Sequence, residues 1–428
     1  MTTADAPVPP AFLSAVRELR AAWPEPPSRY RLPLTVNTFG DEEIAAALEA
    51  LVRGPMTMGP RVTAFEQRFA RALGCADAVF CNSGSSANLL AMAELTRAFG
   101  RDGKPLLQPG DEVVVPAVTW STTVWPVAQM GAIPVLADVS PETLNVTVES
   151  VERALSPRTR AVFAVHLLGN PAPVDALARL CAERGLVLLE DVCESLDAQL
   201  AGRAVGTFGR TGTFSFYFSH HICTIEGGMV ACQDPQVAER LRILRAHGWT
   251  RHMSPAGRQQ AEAASPEIDP RFLFVDLGYN LRGTDVQAAI GLVQFERRAG
   301  FLSRRREVAA AWASVRDELE RIFTPIHFSP GASHFALPLI LRPGTPATRA
   351  TLCAWLEDRG VETRPLVAGN LARQPALSRV PHRVAGPLPG ADLIHEQGLY
   401  VGIHPDLGDN EVAFLADALR SFAKETPT

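Results

Sequence analysis

The sequence predicts an α/β fold, with a mostly parallel sheet in a large domain and a smaller C-terminal α+β domain. Its 428 residues are enough for two or three domains. Hydrophobic residues make up 46% of the chain and charged residues 20%, a balance that supplies a packed core and excludes disordered and fibrous proteins. Short β-rich runs alternate with helical patterns, as in the βαβ units of a parallel sheet.

The elements of the large domain can be assigned in chain order. A Pro-rich start predicts an N-terminal arm over 1–33, and apolar residues at near-helical spacing predict a helix over 62–73 that Gly74 ends. Further helices are predicted over 89–95, 174–184 and 285–318. Strands are predicted over 111–115, 133–139, 161–168, 186–190, 214–218 and 229–232.

The C-terminal part predicts elements of its own. A strand is expected over 335–341, a helix over 347–359 and a terminal helix from Asn410. This pattern predicts a large domain over 34–295 and a small domain over 296–428. Residues 251–271 are polar and contain proline, so we expect an exposed loop there.

Several classes of function are disfavoured by composition. The net charge of −5 offers no basic excess for nucleic acid. Seven scattered cysteines without a CxxC pair argue against a disulfide framework and a zinc site, and with no convincing signal peptide they predict a cytoplasmic protein. Residues 113–137 carry no charge and have the length of a membrane span. Three prolines interrupt them, so we interpret them as strand, loop, helix and strand and expect no membrane partner.

Two segments carry polar residues where strands of an open α/β sheet end, the usual place for ligands. The run 82–88 (NSGSSAN) precedes an apolar helix, and free backbone amides at a helix start favour phosphate. An ordinary capped helix start gives the same pattern. Glu190 and Asp191 end a buried strand, where they could face a ligand cation or serve as structural caps.

The most unusual segment is 214–228, in which His220 and His221 follow an aromatic strand and precede a Glu-Gly-Gly turn. Adjacent side chains diverge on a strand, and no third ligand is evident, so we expect no metal site. A general base is a better use of one histidine, because its ordinary pKa lies near neutrality. His221 is interpreted as structural.

Taken together, these motifs resemble the DegT–StrS group of sugar-modifying enzymes, which depend on vitamin B6 and share the fold-type-I, aspartate aminotransferase-like architecture. The resemblance covers about residues 34–419. It rests on NSGSSANL (82–89), PGDEVVVPAVTWSTT (109–123), LLEDVCES (188–195), GTFSFYFSHHICTIEGG (212–228), RAHGWTR (245–251) and GYNLRGTDVQAAIGLVQ (278–294).

The resemblance implies a set of residues around pyridoxal 5′-phosphate (PLP). Gly84, Ser85 and Ser215 would bind its phosphate, Trp120 would stack on its ring, and Asp191 would pair with its ring nitrogen. Glu194 is expected near the edge of the cofactor. Asn280 is expected to reach the phosphate of the other subunit's cofactor, which implies a homodimer with shared active sites.

The chain departs from most of that family at His220, where a lysine usually forms the Schiff base with PLP. Imidazole cannot form that link, but it can still move a proton. The 3-dehydratases of the family, which make 3,6-dideoxysugars, resemble this chain in their SHH run. They imply a lyase that uses non-covalently bound pyridoxamine 5′-phosphate (PMP) on a nucleotide-activated 4-keto-6-deoxyhexose, with His220 as its catalytic residue.

The cofactor must then be regenerated, and the family implies two routes. An iron–sulfur cluster needs clustered cysteines, whereas Cys353 is the sole cysteine beyond residue 232, so we expect transamination from L-glutamate instead. Two alternatives stay open for the protein as a whole. It could be an ordinary PLP-dependent nucleotide-sugar aminotransferase, which the missing lysine disfavours, or a non-catalytic PLP-binding regulator.

Overall fold

The computed structural model describes residues 9–100 and 103–426. The α-helices in these ranges are α1 (Pro10–Ala22), α2 (Asp41–Arg53), α3 (Pro60–Leu73), α4 (Gly84–Leu95), α5 (Ser121–Gln129), α6 (Val148–Ala154), α7 (Val174–Arg184), α8 (Pro235–Arg245), α9 (Pro255–Ala264), α10 (Asp285–Glu318), α11 (Arg349–Asp358), α12 (Pro389–Gln397) and α13 (Asp409–Glu425). The strands are β1 (Asp77–Cys81), β2 (Glu112–Pro116), β3 (Ile133–Ala137), β4 (Thr159–Val165), β5 (Val187–Asp191), β6 (Gln199–Leu200), β7 (Arg203–Ala204), β8 (Thr211–Ser215), β9 (Gly228–Cys232), β10 (Ala336–Ile340), β11 (Thr363–Pro365), β12 (Arg383–Val384) and β13 (Gly398–Gly402).

The main sheet has eight strands in the order β1-β9-β8-β5-β4-β2-β3-β12. The run from β8 to β12 is parallel, and β9 is antiparallel to both β8 and β1. Its strands are almost wholly buried, because helices cover a parallel sheet on both faces and its strands therefore read as continuous apolar runs. The predicted mostly parallel α/β sheet is confirmed.

The uncharged stretch 113–137 forms β2, the loop before α5, α5 and β3, as the sequence predicts. β2 and β3 lie side by side in the sheet, so their apolar residues are core. No helix in the described part of the chain is both long enough and apolar enough to span a membrane.

A second core forms around the three-stranded antiparallel sheet β10-β13-β11. The second half of α10 packs there with α11 and α13, and Trp312 is its largest fully buried side chain. The predicted domain boundary at 295/296 falls within the 34-residue helix α10, and β12 pairs with β3 of the main sheet. The domain limits stay a prediction.

The segments predicted as a loop and as an arm each contain a helix. Part of the predicted loop 251–271 is the helix α9, which begins with Pro255 and is capped by Ser254, whose Oγ accepts from the Gly257 amide. Helix α9 buries no residue, so the predicted exposure holds while the predicted loop is wrong. The arm contains α1, which ion pairs from Arg17 and Arg20 to Asp41 hold against α2. Residues 1–8 of the arm lie outside the described residues.

Candidate active site

Asp191 ends β5 with a buried carboxylate that is held from both sides. Oδ2 accepts hydrogen bonds from Nδ2 of Asn88 and Oγ1 of Thr123, both at 2.8 Å. Oδ1 accepts from the amide of Cys193 at 3.1 Å. Thr213, on the neighbouring strand β8, donates in turn to Oδ1 of Asn88. This network fixes an anionic acceptor at the carboxyl edge of the sheet, where it can meet a ligand cation.

The first turn of α4 forms a tight cradle against the end of β8. Ser83 caps the helix by accepting from the amide of Ser86 at 3.1 Å. Gly84 approaches Ser215 so closely that a Cβ at position 84 would lie 2.5 Å from Cβ and 2.8 Å from Oγ of Ser215. Free amides of a helix start beside a serine hydroxyl suit a phosphate, so the structure brings together the residues predicted to bind one.

The start of α5 lies between this cradle and Asp191. Oγ of Ser85 donates to Oγ1 of Thr122 at 3.2 Å, while the next residue, Thr123, bonds Asp191. Trp120 immediately precedes α5, and its indole is 58% exposed, which is high for so large an apolar side chain. The cradle, the open indole and the carboxylate therefore belong to one neighbourhood.

His220 follows β8 and lies in a half-buried position, where its backbone amide donates to the carbonyl of Tyr217 at 2.9 Å. Its ring packs edge-on against Phe335, with 5.3 Å between centroids. Burial and the charge of Arg305 lower the pKa of His220 to about 3. The imidazole is therefore neutral at neutral pH and free to accept a proton.

His221 contacts the segment around Ser333, and its structural role stays a prediction. It is buried, and its Nε2 lies 3.2 Å from the carbonyl oxygen of Ser333. In the part of the chain that the structure describes, no group of three histidine, cysteine, aspartate or glutamate side chains could hold a metal ion.

Glu194 carries a perturbed carboxyl group close to Asp191. Burial is the main cause that raises its pKa to about 7, and the charge of Asp191 adds to it. The amide of Leu168 donates to Oε2 of Glu194 at 2.9 Å, and Leu168 has a left-handed φ of 50°. A strained backbone thus supplies the partner of a carboxyl group that can be protonated near neutral pH, a combination typical of functional sites.

Asn280 lies on a segment beside the chain that leads into α4, because the carbonyl of the next residue, Leu281, accepts from the amide of Asn82 at 3.0 Å. It is exposed, and its Oδ1 accepts from Nε of Arg282 at 3.1 Å. Four residues that support the site were not assigned from the sequence: Asn88, Thr123, Thr213 and Arg305. Asn88 and Thr123 lie inside the quoted motifs, a few residues after the starts of α4 and α5. Their spacing from those helix starts could have identified them.

The arrangement fits PLP. A phosphate fits the Gly84–Ser215 cradle, a flat ring fits the open face of Trp120, and a protonated ring nitrogen fits the fixed carboxylate of Asp191. No lysine stands at position 220 to bond the cofactor, so the residues fit a cofactor that is bound non-covalently.

Comparison with known proteins gives consistent results. A model of the DegT/DnrJ/EryC1/StrS aminotransferase family matches residues 37–420. The chain is 37% identical over 374 residues to the GDP-4-keto-6-deoxy-D-mannose 3-dehydratase of Yersinia pseudotuberculosis, covering 87% of this chain and 94% of that protein. It is 34% identical over 384 residues to the dTDP-4-dehydro-2,3,6-trideoxy-D-glucose 4-aminotransferase of Saccharopolyspora spinosa, covering 89% of this chain and 93% of that protein.

Solved structures extend the likeness to the fold. An E. coli GDP-4-keto-6-deoxy-D-mannose 3-dehydratase with bound hydrated PLP superposes with a TM-score of 0.84 at 34% identity, over 91% of this chain and 99% of that one. A GDP-4-keto-6-deoxymannose 3-dehydratase with a trapped PLP-glutamate geminal diamine gives 0.83 at 34% identity, over 91% and 100%. The predicted fold class and the resemblance to the 3-dehydratases are confirmed.

Proposed function

The chain belongs to the DegT/DnrJ/EryC1/StrS aminotransferase family, and from this premise we propose that it is a PMP-dependent 3-dehydratase of a nucleotide-activated 4-keto-6-deoxyhexose. Its product would be the 4-keto-3,6-dideoxyhexose. The observation that carries the proposal is His220, a neutral imidazole at the position where most of the family has the Schiff-base lysine. Similar proteins include both a 3-dehydratase and an aminotransferase. The residue at position 220 is what favours dehydration over amino transfer in this proposal.

The residues of the site divide the work of holding the cofactor. Bound PMP supplies an amine that condenses with the C4 ketone and a ring that accepts an electron pair. The amides of Gly84 and Ser85 and the hydroxyl of Ser215 hold the phosphate, and Trp120 covers the ring. Asp191 keeps the ring nitrogen protonated, since Asn88 and Thr123 fix its carboxylate in place. Glu194 lies at the cofactor's edge.

His220 moves the protons of the reaction. Its Nδ1 is buried, so Nε2 is the atom that accepts a proton from carbon and then donates one to the departing C3 hydroxyl. One imidazole can serve as base and then as acid because it starts neutral. In an aminotransferase the lysine amine would do this work and also bond the cofactor.

L-Glutamate is the proposed amine donor that regenerates PMP. An iron–sulfur cluster needs several cysteine thiolates close together, and beyond residue 232 the sequence offers Cys353 alone. The structure of a similar 3-dehydratase with a PLP-glutamate geminal diamine supports the same donor here.

A homodimer with shared active sites is also proposed. Large apolar side chains are exposed beside the site and on the segment that leads to Asn280. They are Tyr217, Phe218, Ile225, Ile268, Phe272, Phe274, Val275 and Leu277. A second copy of the chain would cover such a surface and bring Asn280 to the partner's phosphate cradle. Analytical ultracentrifugation of the parent protein tests whether it is a dimer. The PLP affinity of an Asn280→Ala variant, followed by absorbance, tests whether Asn280 contributes to the partner's site.

The test of the function is mass spectrometry of a panel of GDP-, CDP- and dTDP-linked 4-keto-6-deoxysugars, each incubated with protein, PLP and L-glutamate. The proposal predicts a product that lacks one oxygen, with formation of 2-oxoglutarate, and little product from a His220→Asn control. A product with oxygen exchanged for an amine would identify an aminotransferase. No turnover of any ketosugar would favour a non-catalytic PLP-binding protein.

A further inference from the structure

A buried polar cluster lies next to His220, formed by His221, Arg305, Ser333 and His404. All four residues are at most 5% exposed. His221 contacts the carbonyl of Ser333, and Nη1 of Arg305 donates to the carbonyls of Phe335, at 3.0 Å, and of Ile403, which precedes His404. The segments around Phe335 and Ile403 therefore meet at Arg305, which lies in α10, and His221 joins them through Ser333.

The side chains of this cluster are short of hydrogen-bond partners. Among the described residues none pairs with Nδ1 of His221, Nε of Arg305, Oγ of Ser333 or either ring nitrogen of His404. The hydrogen-bond partners of Arg305 within the described chain are backbone carbonyls alone. Buried polar atoms in folded proteins almost always have a partner, so a concentration of unpartnered atoms at one place indicates a bound small polar molecule.

The same shortage reaches His220. Its Nδ1 is buried and also lacks a partner among the described residues. The Phe335 ring packs against both histidine rings, with 5.3 Å between ring centroids for His220 and 5.7 Å for His221. The cluster and the proposed base therefore contact the same side chain. A base normally needs a third group that fixes its ring, because the bond at one nitrogen decides which tautomer the other presents. The described side chains supply no such group.

We propose that the cluster of His221, Arg305, Ser333 and His404 holds buried water, and that this water hydrogen-bonds Nδ1 of His220 and orients its ring for proton transfer at Nε2. The four are positioning residues, since they act through His220. Water suits the set because hydroxyl and imidazole groups can each donate or accept, and because a water molecule makes about three such bonds. The orienting role rests on the proposed function, whereas the water site does not.

A crystal structure of the protein at high resolution, with a bromide soak, tests the site directly. Water within hydrogen-bond distance of Nδ1 of His220 and of at least one cluster atom is expected. An anomalous bromide peak in the cluster would show an anion site instead and would overturn the proposal. Direct pairing of the cluster side chains, with no room for water, would also overturn it.

Variants test the orienting role. Ser333→Ala removes one cluster atom but keeps the carbonyl that His221 contacts, and His404→Leu removes two. Each should lower kcat roughly tenfold while PLP affinity and KM stay unchanged. ¹⁵N NMR of histidine-labelled protein, with His220 assigned from His220→Asn, should show a changed tautomer ratio. The exposed serine variant Ser378→Ala is the matched control.

A thermal melt shows whether His404→Leu folds. If His404→Leu does not fold, the Ser333→Ala variant alone tests the orienting role. Unchanged kcat and tautomer ratio in a folded Ser333→Ala would overturn the orienting role. Failure of the parent protein to dehydrate any ketosugar would instead refute the proposed function, and the crystallographic result would still decide the water site.

Discussion

Nδ2 of Asn88 donates to Oδ2 of Asp191 at 2.8 Å, and Asn88 lies one helical turn after Gly84 on the same face of α4. The helix whose first amides are proposed to bind a phosphate therefore also positions the carboxylate that is proposed to meet the other end of the cofactor. Helix α5 does the same through Thr122, which contacts Ser85, and Thr123, which contacts Asp191. The two helix starts set the spacing between the phosphate cradle and the buried acid.

Asp191→Asn should lower kcat by on the order of 10²-fold, because a neutral amide no longer keeps the ring nitrogen of the cofactor protonated. Asn88→Ala should have a smaller effect, since Thr123 and the Cys193 amide still hold the carboxylate. Steady-state assays with the ketosugar identified by mass spectrometry measure both effects. The control is Asp175→Asn, at a partly exposed carboxylate that pairs with Arg179 on α7. Full activity of Asp191→Asn would remove Asp191 from the cofactor site.

His220→Asn should lower the rate of 3-deoxygenation by roughly 10²- to 10⁴-fold, the usual contribution of a general acid–base residue. His220→Lys should also lose deoxygenation but allow borohydride to fix PLP covalently to the chain. Peptide mass mapping after borohydride reduction distinguishes the two variants from the parent, which should carry no label. A labelled lysine in the parent protein, or unchanged deoxygenation in both variants, would exclude His220 as the base.

Much of this site could be predicted from the sequence because its residues lie in short, ordered motifs next to strand ends and helix starts. Gly84, Ser85, Trp120, Asp191 and Ser215 are all of this kind. The parallel strands β4, β5 and β8 bring such ends to one edge, with Val165 beside Asp191 and Asp191 beside Thr213. Sheet topology therefore brings these residues, which the family resemblance implied, into one neighbourhood, while their roles toward the cofactor stay predictions.

The rest depends on contacts between distant parts of the chain. Arg305 reaches the site through a long helix whose sequence is rich in charge, and its burial beside His220 has no local signal. Burial by parts of the chain distant in sequence raises the pKa of Glu194. The hydrogen bond from the Leu168 amide opposes this rise, and it depends on a left-handed backbone at Leu168 that tertiary packing stabilises rather than residue type. Helix α9 was missed because its capping serine lies in an otherwise polar segment.

Glu194→Gln should change how stability depends on pH. In the folded protein the pKa of Glu194 is raised from its ordinary value of 4.5 to about 7, so between these values the folded state binds a proton that the unfolded chain has released. The contribution of Glu194 therefore favours folding below pH 4.5 and is lost as pH rises to 7. Glutamine keeps the hydrogen bond from Leu168 without this titration.

The measurement is urea unfolding of the cofactor-free protein at pH 4.5 to 8. The stability of Glu194→Gln relative to the parent should rise by up to about 3 kcal/mol over this range, and the exposed Glu142→Gln should show no such trend. The variant is compared with the parent because the lowered pKa of His220 has the opposite effect in both proteins, adding stability as pH rises toward 6.5. Subtracting the parent's stability removes that contribution. A flat difference would mean that the Glu194 carboxyl is ionised throughout.

Gly84→Ala should abolish tight PLP binding, because the added Cβ would lie 2.5 Å from Cβ of Ser215 and force the cradle apart. A reduction in PLP affinity of at least about tenfold is expected, together with a lower thermal midpoint. Gly300→Ala is the matched control, since its Cβ meets nothing within 4 Å and lies in α10, where alanine stabilises a helix. Equal PLP affinities for the two variants would show that the phosphate binds elsewhere.

Trp120→Ala should weaken PLP binding by about tenfold while leaving the stability of the cofactor-free protein nearly unchanged. The reason is that the indole is 58% exposed and contributes little to the core, yet it flanks the cradle and the buried acid. PLP affinity can be followed by its absorbance, and unfolding by circular dichroism. Trp23→Ala, at a position 76% exposed, controls for the loss of a surface tryptophan.

If both variants bind PLP like the parent, Trp120 does not cover the ring. If Trp120→Ala loses stability as well, its indole packs against protein in solution, as it would at a dimer interface, and ultracentrifugation of that variant should then show dissociation.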